Sequence, residues 1–459
     1  MRLVIRHLSP LIRSRRRISY LLTTGILLSI TFIFFIINQN QESKNFLNQP
    51  IKRQDQKFES SNNITTLTQK TIPTQRKVTW PIDEQGRSLK TNFLVLDWTG
   101  FFGSAATEGE HVKCSSSNMT FIWTRQQNRI NEIDFIISHG ADGSIPFDRL
   151  HLNNDQQQYT MAFIMESEVH SGTGDGWARF NFKMTYNLDD SYPEPATYFD
   201  MNSYLIDLLT PSIISFENKE KRADIVWIIS NCHAHNGREG FVERLMTEIK
   251  IDSYGACLNN RHGYGGRMTD NFDAYKQYKF VIAIENSNCL DYVTEKLVLA
   301  VRSGSIPIVA GINNRPDYRR YLPEHSFINI FDYSSIKDLA NDLKRIANNK
   351  TLYESYLWYK KHDKNISNLQ ELLLNEKLKH FIDVIGSNAT MITDGIAGKE
   401  KSENKVCKLI RFVRQTSWQD IAAHKKTARA DSSNACLQGQ YILTHFNSAR
   451  KNNSEPRTV

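Results

Sequence analysis

The sequence predicts an α/β protein with two folded domains, and three observations lead there. Short continuous apolar runs alternate with helical patterns from about Lys221 onward, the signature of strands joined by crossover helices into a parallel sheet. A second set of apolar runs, "NFLVLDW", "EIDFIISHG" and "YTMAFIMES", precedes it, separated by polar, turn-rich stretches. The chain has 459 residues, 40% hydrophobic and 23% charged, which is a globular composition with room for two domains and appendages.

In chain order, Arg2, Arg6, Arg13, Arg15, Arg16 and Arg17 precede the uncharged stretch Ile18 to Ile37. Those 20 residues match the hydrocarbon thickness of a bilayer, and the basic cluster before them keeps that end cytoplasmic. The stretch is longer than the apolar region of a signal peptide, and no small-residue cleavage site follows it. The reading is residues 1–17 as a cytoplasmic tail, 18–37 as a transmembrane anchor and 38–90 as a polar, Gln/Asn/Ser/Thr-rich stem. Six Asn-X-Ser/Thr sequons, at Asn63, Asn118, Asn349, Asn365, Asn388 and Asn452, suit a lumenal body. So do six cysteines, Cys114, Cys232, Cys257, Cys289, Cys407 and Cys436, an even count whose pairing the sequence leaves open. Their spacing matches no zinc pattern. The net charge of +8 invites a nucleic-acid reading, but much of the excess belongs to the basic N-terminus and the C-terminal stretch, so no nucleic-acid partner is expected.

Residues 91–205 form the first folded domain in this reading, and residues 206–368 the second. The second opens on "KRADIVWIIS", a buried strand, and "REGFVERLMTEI", where Phe241, Leu245 and Ile249 mark one helix face. "IDSYG", "YKFVIAI", a helix from about Thr294, "SIPIVA" and "SFINIF" continue the alternation, and "SSIKDLANDLKRIA" reads as a Ser-capped helix. Residues 369–459 begin with the helical "ELLLNEKLKHFIDVI" and continue as a basic stretch expected to be a solvated tail, although Cys407 and Cys436 hint at a covalent tie to something ordered.

The densest polar cluster lies in "FVIAIENSNCLDYVTEKLVLAVRSGSIPIVAG", Phe280 to Gly311. Glu285 and Asn286 fall at a strand's carboxyl end, where open parallel sheets bind ligands. Thr294 or Asp291 would cap the following helix, with Glu295 and Lys296 in its first turn. A helix N-terminus suits a phosphate. A lysine there opposes the dipole unless an anion is bound, so the cluster reads as a nucleotide cradle with Lys296 on phosphate and Glu295 on ribose. A lone Glu-Lys pair at a helix start is commonly a solvated face; the buried strands on both sides, with Asn286 and Tyr292, favour a site. The chain has no GxGxxG or GxxxxGK[ST] loop, so side chains and a helix end must hold the phosphate. Arg238, just past another strand end, is a second cation for a diphosphate, with a surface arginine as the alternative.

These residues resemble the signature of the α-1,3-fucosyltransferases, glycosyltransferase family ten: an aromatic-apolar strand, then ENS, DY, TEK and PVV-G. "VWIISNC…REGFVERL", "IDSYGAC" and "RPDYRRYLPEHSFINIFDYSS" extend the resemblance, which runs from Phe93 to Tyr359 and is strongest after Asp224. It implies a GT-B architecture of two Rossmann-like domains facing a cleft, with GDP-fucose on the C-terminal domain and a glycoprotein glycan on the other. It implies Arg238 and Lys296 on the diphosphate, Glu295 on the ribose, Asn286 and Tyr292 lining the donor pocket, Tyr254 near the base, and Glu166 of "MES" as catalytic base. A tail, anchor and stem ahead of such domains is the layout of Golgi membrane glycosyltransferases.

The chemistry supports the assignment on its own terms. Inverting transfer needs one base for the acceptor hydroxyl and cations for the departing diphosphate. By position alone Glu166 competes with Glu168, Asp189 and Asp190. Arg238 and Lys296 can neutralise the diphosphate, and no DxD motif is flanked by apolar residues, so neither a cofactor nor a divalent metal is required. Two departures fall on the acceptor side: the proline of the ESP motif is Glu168 here, and two arginines of TYRRDSD are Asn187 and Leu188. They raise two alternatives, a lumenal glycan- or nucleotide-binding protein without catalysis and a protein O-fucosyltransferase. "ENSNC" and "SYGAC" lean toward members acting on the N-glycan core. Glu285 and Asp291 are expected to be structural, holding the strand end and capping the helix.

Overall fold

The computed structural model of the chain describes residues 80–360, 404–427 and 436–452, apart from 102, 116, 143–144, 146, 148–157, 172–178, 189–190, 194, 196–197, 199–203, 205–206, 264–267 and 438. The expected membrane span, nearly all of the stem, the helical pattern at 371–385, Asp189 and Asp190 lie outside the described residues. Among the described residues no helix is long and apolar enough to cross a membrane. Thr71–Val459 form one compact unit.

Continuous apolar runs become strands buried on both faces. β1 (Asn92–Asp97), β2 (His111–Lys113), β3 (Thr120–Thr124), β4 (Phe135–His139), β5 (Tyr159–Ile164) and β6 (Phe182–Thr185) form a sheet in the order β2-β3-β1-β4-β5-β6. Only β2, on an edge, runs antiparallel. Alternation splits each strand between two cores: Phe93, Val95 and Phe135 enter one, Leu96 and Ile136 the other. The short helix α1 (Glu168–Ser171) follows β5.

The second sheet, order β11-β10-β9-β7-β8, is wholly parallel: β7 (Ile225–Ile228), β8 (Ile251–Tyr254), β9 (Phe280–Ile282), β10 (Ile306–Val309) and β11 (Ile328–Asn329). Ile225, Trp227, Phe280 and Ile282 point to one core, Val226, Ile228 and Val281 to the other. The connecting helices are α2 (Arg238–Glu248), α3 (Met268–Tyr275), α4 (Glu295–Ser303), α5 (Ile336–Ala347) and α6 (Lys350–Ser355). The Ser cap of α5 is as expected: Ser335 Oγ accepts from the backbone N–H of Asp338. Gly304 closes α4 in the left-handed conformation, φ +69°.

The C-terminal stretch corrects one expectation. In place of a solvated tail it carries α7 (Lys405–Gln415), α8 (Trp418–Thr427) and α9 (Tyr441–Asn452). Val406, Leu409, Ile410 and Val413 of α7 bury against the first sheet, and Ile442 and Phe446 of α9 against the second. The basic residues between these apolar positions mask a helical period in the overall composition. All six cysteines are paired, Cys114–Cys407, Cys232–Cys257 and Cys289–Cys436, so the covalent tie hinted at by Cys407 and Cys436 is present.

Candidate active site

The strand order of the second sheet locates a crevice. From β7 the chain passes to β8 on one side, and from β9 to β10 on the other. The connections leaving the carboxyl ends of β7 and β9 therefore diverge, and such a switch point is where parallel sheets receive ligands. Arg238 lies on the first connection, at the first residue of α2; Glu285 to Lys296 lie on the second and lead into α4.

Glu285 organises the second connection. It is buried, and its Oε1 accepts from the backbone N–H of Thr294 at 2.8 Å while Oε2 accepts from Thr294 Oγ1 at 2.7 Å and from Lys296 Nζ at 3.0 Å. Lys296 completes its donor set with Thr294 Oγ1 at 2.7 Å and Glu295 Oε1 at 3.1 Å. Burial raises the Glu285 pKa, with Lys296 pulling against it. Burial also opposes the Lys296 charge, but Glu285 and Glu295 hold that ammonium's pKa above its usual value. Glu295 is buried enough to be penalised as an anion, yet Lys296 carries its pKa below the usual carboxylate value. The structural role expected for Glu285 is thus what the geometry shows. The cap expected of Asp291 is not. Thr294 is the N-cap residue of α4, and Asp291, with φ +56°, accepts from Arg320 Nη1 at 3.0 Å on both oxygens. The nearby arginine offers the carboxylate a charged partner, whereas the cation in the first turn of α4, Lys296, is taken by Glu285 and Glu295.

Arg238 is 1% exposed, so it is no surface arginine. Its Nη1 donates to the Ile284 carbonyl at 2.9 Å, its Nη2 to the Asn231 carbonyl at 3.2 Å and its Nε to Glu239 Oε1 at 3.2 Å. Those bonds fix the guanidinium between the two diverging connections. Arg238 and Lys296 act on each other as like charges, so the two cations expected to share a diphosphate are brought together. Tyr254, at the end of β8, is buried in the core and its hydroxyl pairs with that of Tyr278 at 3.0 Å.

Glu166, two residues beyond the end of β5, meets this crevice. Its Oε1 accepts three hydrogen bonds: from the Ser167 backbone N–H at 2.8 Å, from Tyr292 Oη at 2.6 Å and from Asn286 Nδ2 at 3.2 Å. Among the described residues none donates to Oε2. One oxygen thus anchors the carboxylate between the connections after β5 and β9. Ser167 Oγ donates to Ser287 Oγ at 3.1 Å and the Leu188 backbone N–H to Asp291 Oδ2 at 3.0 Å, closing the same seam. Among the described residues, Asn286 Oδ1 is buried without a hydrogen-bond partner. The Tyr186 ring packs edge-on against Tyr292, with centroids 4.9 Å apart. Tyr198 also enters the site: it is hydrogen-bonded to Tyr292, and burial followed by the charges of Glu166, Glu295 and Glu285 pushes its pKa far up. Glu168, the rival of Glu166, lies in α1, its backbone N–H on Tyr186 Oη at 3.2 Å. Sequence reasoning missed Ser167, Ser287 and Tyr198, because only the pairing of residues far apart in the chain, Ser167 with Ser287 and Tyr198 with Tyr292, gives them a role.

Residues 218–386 match the family model described as "Glycosyltransferase family 10 (fucosyltransferase) C-term". Over those residues the chain is similar to glycosyltransferase family 10. Its relatives include "Glycoprotein 3-alpha-L-fucosyltransferase A" of Drosophila melanogaster, 32% identical over 45% of this chain and 41% of that protein. They also include "4-galactosyl-N-acetylglucosaminide 3-alpha-L-fucosyltransferase 9" of Bos taurus, 32% identical over 52% of this chain and 63% of that one. A third is "GDP-fucose protein O-fucosyltransferase 3" of Gallus gallus, 34% identical over 39% of this chain and 40% of that one. The alignments thus span less than two thirds of each relative's length. The family 10 match takes in Arg238, Tyr254, Asn286, Tyr292, Glu295 and Lys296; Glu166 and the helices α7, α8 and α9 lie outside it.

Proposed function

We propose that the chain is an inverting fucosyltransferase that moves L-fucose from GDP-fucose, in α-1,3 linkage, onto GlcNAc of glycoprotein glycans. The observation that carries this reading is the Glu166 carboxylate, anchored through Oε1 by donors from the connections after β5 and β9 and with no donor to Oε2 among the described residues, beside a crevice holding two buried cations. In the reaction Oε2 takes the proton of the acceptor hydroxyl, whose oxygen attacks the anomeric carbon of fucose opposite the diphosphate. The bond from that carbon to the diphosphate oxygen breaks, and GDP leaves with its new charge held by Lys296 and Arg238.

The donor side prepares for this by exchange. All three Lys296 contacts are to protein oxygens, and the most exposed carboxylate among them is Glu295, at 25% side-chain exposure against 1% for Glu285. Glu295 gives way to a phosphate and turns to a donor sugar hydroxyl, while Glu285 stays to neutralise the ammonium. Two cations in a buried cradle make a divalent metal unnecessary, and transfer should persist in EDTA. The Golgi setting, the type II anchor at 18–37 and the GT-B reading of the two sheets belong to the same proposal.

A second reading, transfer to a protein hydroxyl, is favoured by the chicken relative's name and by the altered acceptor-side residues Glu168, Asn187 and Leu188. One experiment separates them. The full chain is incubated with GDP-fucose and a panel of N-glycopeptides and unglycosylated folded domains, and products are read by mass spectrometry. Fucose on GlcNAc supports the first reading, fucose on Ser or Thr the second. GDP binding with no transfer on either panel overturns both in favour of a binding protein.

A further inference from the structure

Outside the family match, Cys436, Leu437, Gly439, Gln440 and the first turns of α9 run across the two connections that carry the candidate donor ligands. On the second connection, Cys289 lies three residues beyond Asn286 and is bonded to Cys436. The Leu437 backbone N–H donates to the Asn288 carbonyl at 2.8 Å. On the first connection, the Ile442 N–H donates to the Asn236 carbonyl at 3.2 Å and the Gly439 N–H to His235 Nε2 at 3.5 Å. Ile442 and Phe446 anchor the segment in the core, where Phe446 stacks on Phe241 with centroids 5.4 Å apart. Two glycines admit it: a Cβ on Gly237 would meet Gln440 Oε1 at 2.8 Å, and one on Gly240 would meet Leu443 Cδ1 at 3.0 Å.

Between the connections stands Asn236, 2% exposed. Its Nδ2 donates to the Glu285 carbonyl and to Asn288 Oδ1, both at 2.9 Å, and its Oδ1 accepts from the Arg238 N–H at 3.3 Å. Its backbone N–H reaches the Asn286 carbonyl at 3.4 Å, and its own carbonyl is the one Ile442 holds. Asn288 extends the network through Nδ2, to the Ala310 carbonyl at 2.7 Å and the Arg315 carbonyl at 3.0 Å. Every polar group of Asn236 is committed, and each bond joins α2, the connection after β9 or the C-terminal segment to another. In a buried network of this kind one lost donor is felt by all its members.

We propose that the C-terminal segment is a positioning strap for the donor site: locked by Cys289–Cys436 and keyed through Asn236, it sets the spacing between the α2 end that carries Arg238 and the connection that carries Asn286, Glu295 and Lys296. The proposal rests on the donor-site reading above. It makes the strap a determinant of donor affinity that the family match does not contain.

The test measures GDP binding by calorimetry, with thermal unfolding in parallel, on the full chain and three variants. Cys289→Ala/Cys436→Ala should weaken GDP binding about tenfold, and Asn236→Asp, which keeps the shape and the acceptor but loses the Nδ2 donors, should do the same. A merely structural role would lower the unfolding midpoint of both without moving GDP affinity, and that outcome overturns the strap. Kinetics of GDP-fucose hydrolysis add a second reading, since a misplaced donor site raises KM more than it lowers kcat. Should the disulfide variant fail to fold, Phe446→Ala, which loosens the segment from Phe241, takes its place beside Asn236→Asp. Lys296→Ala is the control for the underlying reading. If it leaves GDP binding intact, the donor-site assignment falls; if it abolishes binding while both strap variants bind GDP as the parent does, only the strap falls.

Discussion

The two sheets present different things at their carboxyl ends. The second offers a saturated polar network: Glu285, Thr294, Lys296, Asn236 and Asn288 bond one another or backbone, and two disulfides, Cys232–Cys257 and Cys289–Cys436, tie its connections together. The first offers Glu166, held through one oxygen by the Ser167 N–H beside it and by Asn286 and Tyr292 from the connection after β9. The contrast suits a reaction with one fixed and one variable partner. A nucleotide-sugar is always the same, so its cradle can be built rigidly. An acceptor varies, and all the acceptor side must supply without fail is a base in the right place.

The largest effect expected from breaking this division is at Glu166, the proposed base. Glu166→Gln keeps the size and removes the ability to accept a proton, so transfer should fall about a thousandfold while GDP affinity stays within about twofold. Fucose transfer and GDP calorimetry on the same protein check it. A variant that still transfers at a tenth of the parental rate would return Glu168 to contention.

The cradle should respond in the opposite sense. Lys296→Met leaves Glu285 as a buried carboxylate without its cation, which costs about 3–5 kcal/mol of stability, and GDP binding should weaken roughly a hundredfold. Adding Glu285→Gln should restore most of the stability, because the uncompensated charge is gone, and none of the GDP affinity. Recovery of both would mean that Lys296 serves the fold alone. Denaturant titration and calorimetry separate the outcomes.

The disulfides sharpen the comparison on the first sheet. Cys114–Cys407 joins positions 293 residues apart and fastens α7 to the core of that sheet, away from the cradle. Cys114→Ala/Cys407→Ala should lose about 2–4 kcal/mol of stability and leave GDP affinity unchanged. A fall in GDP affinity there would show that the two sheet ends are coupled more tightly than the hydrogen bonds across the seam suggest.

Much of the polar network of the proposed cradle is legible in the sequence because it is local. Glu285, Thr294, Glu295 and Lys296 fall within one strand–turn–helix unit, where period and propensity place a strand end and a helix start. The Ser335 cap and the strands at Asn92, Ile225 and Ile251 were readable for the same reason. What escaped is non-local. Asn236 lies in "HAHNG", an unremarkable turn in one dimension, and gains its meaning from partners at Glu285, Asn288 and Ile442. The α7 and α9 helices looked like a solvated tail because nothing in the chain announces which surface their apolar faces will meet. Asp291 was misplaced because an acid near a helix start reads as a cap until Arg320, 29 residues on, is seen beside it.

Tyr292 gives the finest test, because two assignments meet there. The family resemblance makes it a lining of the donor pocket, while its hydroxyl donates to Glu166 Oε1 at 2.6 Å. Removing that hydroxyl leaves the carboxylate two anchoring donors, Ser167 N–H and Asn286 Nδ2. Tyr292→Phe keeps the buried ring and its packing against Tyr186, so the fold should hold. Burial and the Glu166 charge both push the Tyr292 pKa far above its ordinary value, so the phenol stays a donor through neutral pH and the variant's effect should not vary there. If its work is to orient the base, kcat should fall about tenfold with KM for GDP-fucose unchanged, since the lost interaction serves the transition state. If its work is to line the donor pocket, KM should rise and kcat hold. Steady-state kinetics over a range of GDP-fucose concentrations distinguishes the two, and a rise in KM alone would return Tyr292 from the seam between the sheets to the cradle.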